Sequence, residues 1–158
     1  MKLKQITKKD QLDIKKLYFD SIISIDETIY SQEQKRAWAS QAWENKNFNL
    51  SINEGKGWLI RANQKVIAFG TRYPNDRLAL LYCKGNEQRK GYATILLNKL
   101  EKEAKDEGLT SLSTEASLIS YKLFLRNNWS IIRKEKIIIK NIIFERYKMN
   151  KNLNLLNI

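Results

Sequence analysis

Gln88-Arg89-Lys90-Gly91-Tyr92-Ala93 lies between an apolar run, Leu78-Ala79-Leu80-Leu81-Tyr82-Cys83, and an amphipathic stretch from Tyr92 to Glu107. A strand, a short polar turn with glycine at its exit and then a helix together form a cradle for a phosphate. The first helical turn leaves its N–H groups without intrahelical partners, and the positive end of the helix dipole favours an anion there. Gly91 lets the backbone approach that anion with no side chain in the way, and Arg89 and Lys90 add charge beside it. A lone G-x-A turn is equally at home in any strand-turn-helix unit, so the flanking sequence has to decide.

On the C-terminal side, Ala93, Leu96, Leu97, Leu100 and Ala104 fall on one stripe of a helix. Gly108 is its stop. Leu109 to Glu115 reads as a strand parallel to the one before the helix, because a long helix between two strands favours a crossover. A further helix is expected from Ser117 to Asn127, with Asn128 taking the left-handed conformation that glycine usually supplies. Two strands, Trp129 to Ile139 and Phe144 to Met149, close the domain, and the tail from Asn150 to Ile158 is expected to fray.

On the N-terminal side, Gly57 to Arg61 and Lys65 to Gly70 flank Ala62-Asn63-Gln64 as a hairpin, and Pro74-Asn75-Asp76 is a second turn. Lys2 to Ile6 reads as a first strand. Asp10 is positioned to cap a helix carrying Ile14, Leu17, Tyr18, Ile22 and Ile25 at helical spacing. Ser31-Gln32-Glu33-Gln34 fits a capping box that opens a second helix through Ala37, Trp38 and Ala42. Trp38 and Trp43 read as packing residues. The expectation is one domain over residues 1–153 with a frayed end at 154–158. It is an α/β (α+β) fold with a mixed, mostly antiparallel sheet of about six to seven strands and about four helices.

The 158 residues are 42% hydrophobic and 29% charged, the balance of a globular chain able to bury a sizeable core. No apolar run reaches the roughly 18 residues of a membrane span, and Met1 to Ile6 lacks the apolar core of a signal peptide. Cys83 is the single cysteine, which removes internal disulfides and thiolate metal clusters and makes the cytoplasm the default location. The chain has no histidine, so Ser-His-Asp and Cys-His catalysis are excluded and no metal site is expected. Proton transfer has to use Glu, Asp, Tyr, Lys, Cys or water. The net charge of +12 comes mostly from lysines scattered from Lys2 to Lys151. They line no single helix and do not interleave with aromatics, which speaks against a specific nucleic-acid partner and leaves attraction of a polyanionic small ligand.

The order of elements resembles the GNAT acetyltransferases, whose signature Q/R-x-x-G-x-G/A is filled by Gln88, Gly91 and Ala93. Glu115-Ala116-Ser117, Leu123-Phe124 and Asn128-Trp129 resemble the family's second motif. Tyr30 to Gln34, Ala37-Trp38 and Tyr147 to Lys151 are similar to the YafP-like bacterial branch. The resemblance spans about residues 1 to 153. It implies that acetyl-CoA is the co-substrate, with its pyrophosphate held by backbone N–H groups from Arg89 through Thr94, including Lys90, Gly91, Tyr92 and Ala93. It further implies that main-chain groups of Leu81, Tyr82 and Cys83 pair with the pantetheine arm, one N–H polarising the thioester carbonyl. Ser117 stands where many relatives carry an asparagine on that arm. Three departures are Ala93 for the second glycine, Gly85 for the loop proline and Asn128 for the glycine before the aromatic. A fourth is Phe124, which occupies the place of the tyrosine that protonates the leaving thiolate.

The expected reaction is transfer of acetyl to a primary amine by direct attack in a ternary complex. The alternative is a non-catalytic acyl-CoA-binding or regulatory protein on the same fold. Tyr121, one helical turn before Phe124, is the substitute candidate for the acid, and Glu115 is a candidate for drawing the amine's proton through water. Tyr30 and Glu33 fall in the region that shapes the acceptor pocket in this family. Cys83 reads as a buried strand thiol rather than a nucleophile. The acceptor is expected to be a small-molecule or peptide amine, and the protein a monomer or homodimer.

Overall fold

The computed structural model describes residues 1–154. Its seven strands are β1 (Lys2–Gln5), β2 (Lys56–Ala62), β3 (Lys65–Arg72), β4 (Arg77–Cys83), β5 (Ser111–Ala116), β6 (Ser130–Ile139) and β7 (Ile142–Asn152). They form one sheet in the order β1-β2-β3-β4-β5-β7-β6. All neighbours are antiparallel except β4 and β5, the pair joined by the expected crossover. Asn63-Gln64 and Lys140-Asn141 turn their hairpins with positive φ at both positions, the geometry whose twist matches the flanking strands.

Six helices cover the two faces: α1 (Gln11–Ile23), α2 (Gln32–Ala39), α3 (Gln41–Glu44), α4 (Lys46–Asn53), α5 (Tyr92–Asp106) and α6 (Tyr121–Arg126). On one face Ile14, Leu17, Tyr18 and Ile22 of α1 pack with Leu59 and Phe69. On the other, Leu97, Leu100 and Ala104 of α5 pack with Leu78, Leu112, Ala116 and Met149, and Leu96 packs with Ile60, Ile67 and Ala68. Each fully buried leucine or isoleucine among them contributes about 1.5–3 kcal/mol.

Several local expectations are corrected. The Ser31 capping box forms, with Oγ accepting from Gln34 N–H and the Gln34 side chain accepting from Ser31 N–H. The helix it opens stops at Ala39 rather than running through Ala42. The Asn45 side chain then accepts from the N–H groups of Asn47 and Phe48 and starts α4, which the sequence reading had not anticipated. Asp10 does not cap α1. Its carboxylate instead accepts from Thr7 N–H and from Lys4 and Arg61. The helix after Ser117 begins only at Tyr121. The tail is anchored further than expected, because β7 reaches Asn152, Leu153 is buried, and its N–H donates to Thr110 O. Residues 155–158 of the expected frayed end lie outside the described residues.

The feature that positions the site is a one-residue bulge in β4. Thr71 pairs with Leu80 and Arg72 with Leu78, leaving Ala79 as the extra residue. The bulge turns the side chains over, so Leu78 packs against α5 while Leu80 packs against α1. Beyond it β4 parts from β5, whose pairing is confined to Arg77↔Ser113 and Leu78↔Thr114. Bulges of this kind re-aim a strand beside a site.

Candidate functional site

The divergence of β4 and β5 opens a cleft of about 1320 Å³ that runs from the α5 N-terminus to the aromatic side chains of α1 and α2. Along β4, Lys84 N–H donates to Ile67 O on β3. Because N–H direction alternates along a strand, those of Leu81 and Cys83 face the other way, into the split. Leu81, Tyr82 and Cys83 all line the cleft, and this open edge has the form needed to pair with an extended amide-bearing chain.

At the head of the cleft Gly91 has φ +87° and caps α5. Gly91 O accepts from Ile95 N–H as the helix begins. Among the described residues no group accepts from the N–H groups of Tyr92, Ala93 or Thr94. A Cβ built on Gly91 would meet nothing within 4 Å, so the approach to these donors is open. Arg89 also has a positive φ, 66°, and lines the cleft with Gln88, Tyr92, Ala93 and Thr94. Alternating backbone conformations of this sort aim successive N–H groups at one anion. Lys90 stands apart, since its ammonium donates to Glu87 at 2.9 Å and it is not among the cleft-lining residues.

Ser117 Oγ accepts from Ile119 N–H and Ser120 N–H, at 3.2 and 3.0 Å, and so orders the turn leading into α6 at the cleft wall. Phe124 also lines the cleft, but is 2% exposed and packs edge-on against Trp129 with ring centroids 5.0 Å apart. Tyr121 departs from expectation. Its ring lies against Tyr147, centroids 4.5 Å apart, within the cluster beneath α5, and it is not among the residues lining the cleft. Residues three apart on a helix differ by roughly 60° in direction, enough here to send Phe124 to the cleft and Tyr121 away from it.

Glu115 reaches the cleft wall already paired: Nε of Arg77 donates to it at 2.9 Å and Nζ of Lys148 at 3.3 Å. Burial pushes its carboxyl up, but the adjacent Arg77 and Lys148 charges outweigh burial and hold it below the usual carboxylate range. A carboxylate stabilised in this way is a poor proton acceptor. The Cys83 thiol donates to Glu87 O at 3.4 Å, and burial first, then the Glu87 charge, push it up to about 11. It therefore carries little thiolate near neutral pH.

The far end of the cleft is aromatic. Tyr18, Tyr30, Trp38, Phe48, Tyr82 and Phe144 line it and pack mainly edge to face. Tyr18 Oη donates to Trp38 O, and Trp38 Nε1 donates to Tyr82 Oη. Burial raises all three tyrosine hydroxyls of this cluster, Tyr82 to about 12. Tyr30 accepts from Leu118 N–H at 3.0 Å, fixing the turn before α6 against α2. Glu33, expected beside Tyr30, is exposed on the far side of α2 in a separate small cavity with Arg36 and Lys140. Tyr18, Phe48, Arg77 and Arg146 also line the cleft; in the sequence Tyr18 carries only the helical spacing of a core residue, and the other three belong to no motif. Among the described residues no group of three or more His, Cys, Asp and Glu side chains is placed to hold a metal, and no helix is long and apolar enough to cross a membrane.

The model of the acetyltransferase (GNAT) family matches residues 19–128. No curated protein matches the sequence at a significant level. Among solved structures, a GCN5-related N-acetyltransferase from Rhodopseudomonas palustris superposes with a TM-score of 0.89 at 21% identity, over 96% of this chain and 94% of that one. The PaiA N-acetyltransferase of Thermoplasma acidophilum, solved in complex with coenzyme A, gives 0.73 at 18% identity over 96% and 98%. The YncA protein of Salmonella typhimurium, solved with its cofactor acetyl-CoA, gives 0.66 at 14% identity over 100% and 96%.

Proposed function

The chain belongs to the acetyltransferase (GNAT) family, and from that premise we propose that it transfers acetyl from acetyl-CoA to a primary amine by direct attack in a ternary complex. The observation that carries this reading is the convergence of two sets of open backbone donors on one cleft. One set is the first turn of α5 behind Gly91 and the other is the edge of β4 beyond Ala79. The first fits a pyrophosphate. The second fits the amides of a pantetheine arm, with the N–H of Leu81 or Cys83 directed at the thioester oxygen.

In this reading the neutral amine attacks the thioester carbon and a C–N bond forms. The oxyanion is held by a β4 N–H. Collapse breaks the C–S bond, the sulfur leaves with the bonding pair, and the nitrogen loses its proton to solvent. A thiol of pKa roughly 8.5 departs near neutral pH without a strong acid. The enzyme then needs mainly positioning, which fits a wall where Phe124 offers no donor and Tyr121 points elsewhere. Within the family we assign the chain to the YafP-like branch, on Tyr30 to Gln34, Ala37-Trp38 and Tyr147 to Lys151, with a cytoplasmic location.

One observation favours a second reading, a non-catalytic acyl-CoA-binding or regulatory protein. Neither of the two aromatic residues of α6 presents a hydroxyl to the cleft. Titration with CoA and acetyl-CoA, followed by thiol release across a panel of primary amines, separates the readings. Binding with amine-dependent release is the expected result. Binding without release for any amine supports the second reading, and absence of binding removes both.

A further inference from the structure

Alternation along β7 sends Tyr147 and Met149 toward the α5 side, where they belong to the same cluster. Phe144, Arg146 and Lys148 therefore share the opposite face, where Phe144 packs with Tyr30. The register of β5 with β7 pairs Ala116 with Tyr147. Arg146 is the next residue past that last pair, and it lines the cleft together with Ser117 and Phe144.

Arg146 uses little of its guanidinium within the protein. Its Nε donates to Glu135 at 2.7 Å, and among the described residues no group accepts from either of its terminal nitrogens. Its two terminal nitrogens thus form an open fork, on a side chain about one-third exposed, the geometry that takes a carboxylate in a bidentate grip. The surrounding charges have the same bias. Arg77 and Lys148 hold Glu115, Arg133 shares Glu135 with Arg146, and Glu145 is paired with Lys134. No cleft-lining carboxylate among the described residues is left unpaired for a second positive charge on the acceptor.

Resting on the acetyl-transfer reading, we infer that the acceptor is an amine that also carries a carboxylate, of amino-acid or short-peptide type, with Arg146 gripping that carboxylate and the aromatic wall receiving an apolar side chain. Acceptors with several positive charges are disfavoured by the same field.

The test pairs amines that differ only in the carboxylate: phenylalanine with phenethylamine, leucine with isoamylamine, and dipeptides with their C-terminal amides. Spermidine and a lysine-rich peptide serve as cationic probes. CoA binding is measured in parallel. The carboxylate-bearing member of a pair is expected to have at least tenfold higher kcat/KM. Arg146→Gln is expected to raise its KM about tenfold while leaving the KM of the decarboxylated member within a factor of two. Glu135→Gln breaks the same ion pair but keeps the fork, and is expected to leave the carboxylate KM equal or lower. Equal effects of the two variants would mean a merely structural pair and overturn the inference. Preference for the amides, the decarboxylated amines or the cationic probes, with CoA still bound, overturns it while leaving acetyl transfer standing. Loss of CoA binding in the wild type brings down both.

Discussion

Nε of Arg77 donates a 2.9 Å hydrogen bond to the Glu115 carboxylate, tying the first residue of β4 to β5 just below the point where the strands separate. The pair acts on the cleft in two ways. It holds β5 in register beside the bulge, and it fixes Glu115 in the charged form where a base would need to accept a proton.

Glu115→Gln is therefore expected to leave the acid limb of the kcat/KM–pH profile where it is in the wild type, with only a modest drop in turnover. A general base of this kind contributes about 10²- to 10⁴-fold. A loss of that size, accompanied by disappearance of an ionisation, would return Glu115 to a catalytic role.

Gly91 gives two separable outcomes. Gly91→Ala places a methyl in open space, yet φ of +87° costs an L-residue about 1–2 kcal/mol, so stability should fall without a clash. Gly91→Glu adds a side chain and a negative charge in front of the α5 donors. CoA affinity should then drop at least tenfold, about 1.4 kcal/mol, by calorimetric titration with the circular dichroism spectrum unchanged. Equal affinities for Gly91→Ala and Gly91→Glu would remove the anion from this turn.

Much of the frame was legible in the sequence because it rests on local periodicity. The α5 stripe, the hairpin at Ala62 to Gln64 and the turn at Pro74 to Asp76 follow from local sequence, and the crossover from β4 to β5 follows from the long helix between them. Ala79 was not legible as a bulge, since a bulge exists only in the pairing of Thr71 and Arg72 with β4. The break at Ser40 and the restart at Asn45 interrupt a stretch whose apolar residues still keep helical spacing. Tyr121 and Phe124 carry the same aromatic signal at adjacent turns, and only the position of Tyr147 separates them. Arg146 belongs to no motif in the sequence. The alternation of Phe144, Arg146 and Lys148 was the available signal, and it acquires meaning only once the opposite face is known to line a cleft.

Tyr121→Phe removes a hydroxyl that does not line the cleft and keeps the ring against Tyr147. Turnover is expected to match the wild type across the pH range. Cys83→Ala should retain most activity as well, and intact-protein mass spectrometry after exposure to acetyl-CoA should find no acetyl adduct on the wild-type chain. A large loss in either variant would reinstate that side chain in the chemistry.

The Asp10 carboxylate links three elements of the N-terminal half and provides the clearest stability test. It is 1% exposed, accepts from Thr7 N–H at 2.8 Å and from Arg61 Nη2 at 2.8 Å, and is joined by Lys4 at 3.3 Å. Burial pushes its pKa up, but the hydrogen bonds from Thr7, Arg61 and Lys4 and the Lys4 charge prevail and hold it below its ordinary value. A depressed folded-state pKa means that the stabilisation is fully present above the unfolded value, near 3.9. It is lost as pH falls through the folded value. Asp10→Asn keeps the shape and removes the charge, so at pH 7 it should cost about 1.5–3 kcal/mol, the worth of hydrogen bonds to a charged group. The gap between wild type and variant, measured by urea unfolding, should hold from pH 7 to about pH 5. It should close progressively below about pH 4, as the wild type protonates and loses the same interaction. A gap that stays constant down to the acid transition would mean that Asp10 acts through packing alone and that the two cations add nothing to the fold.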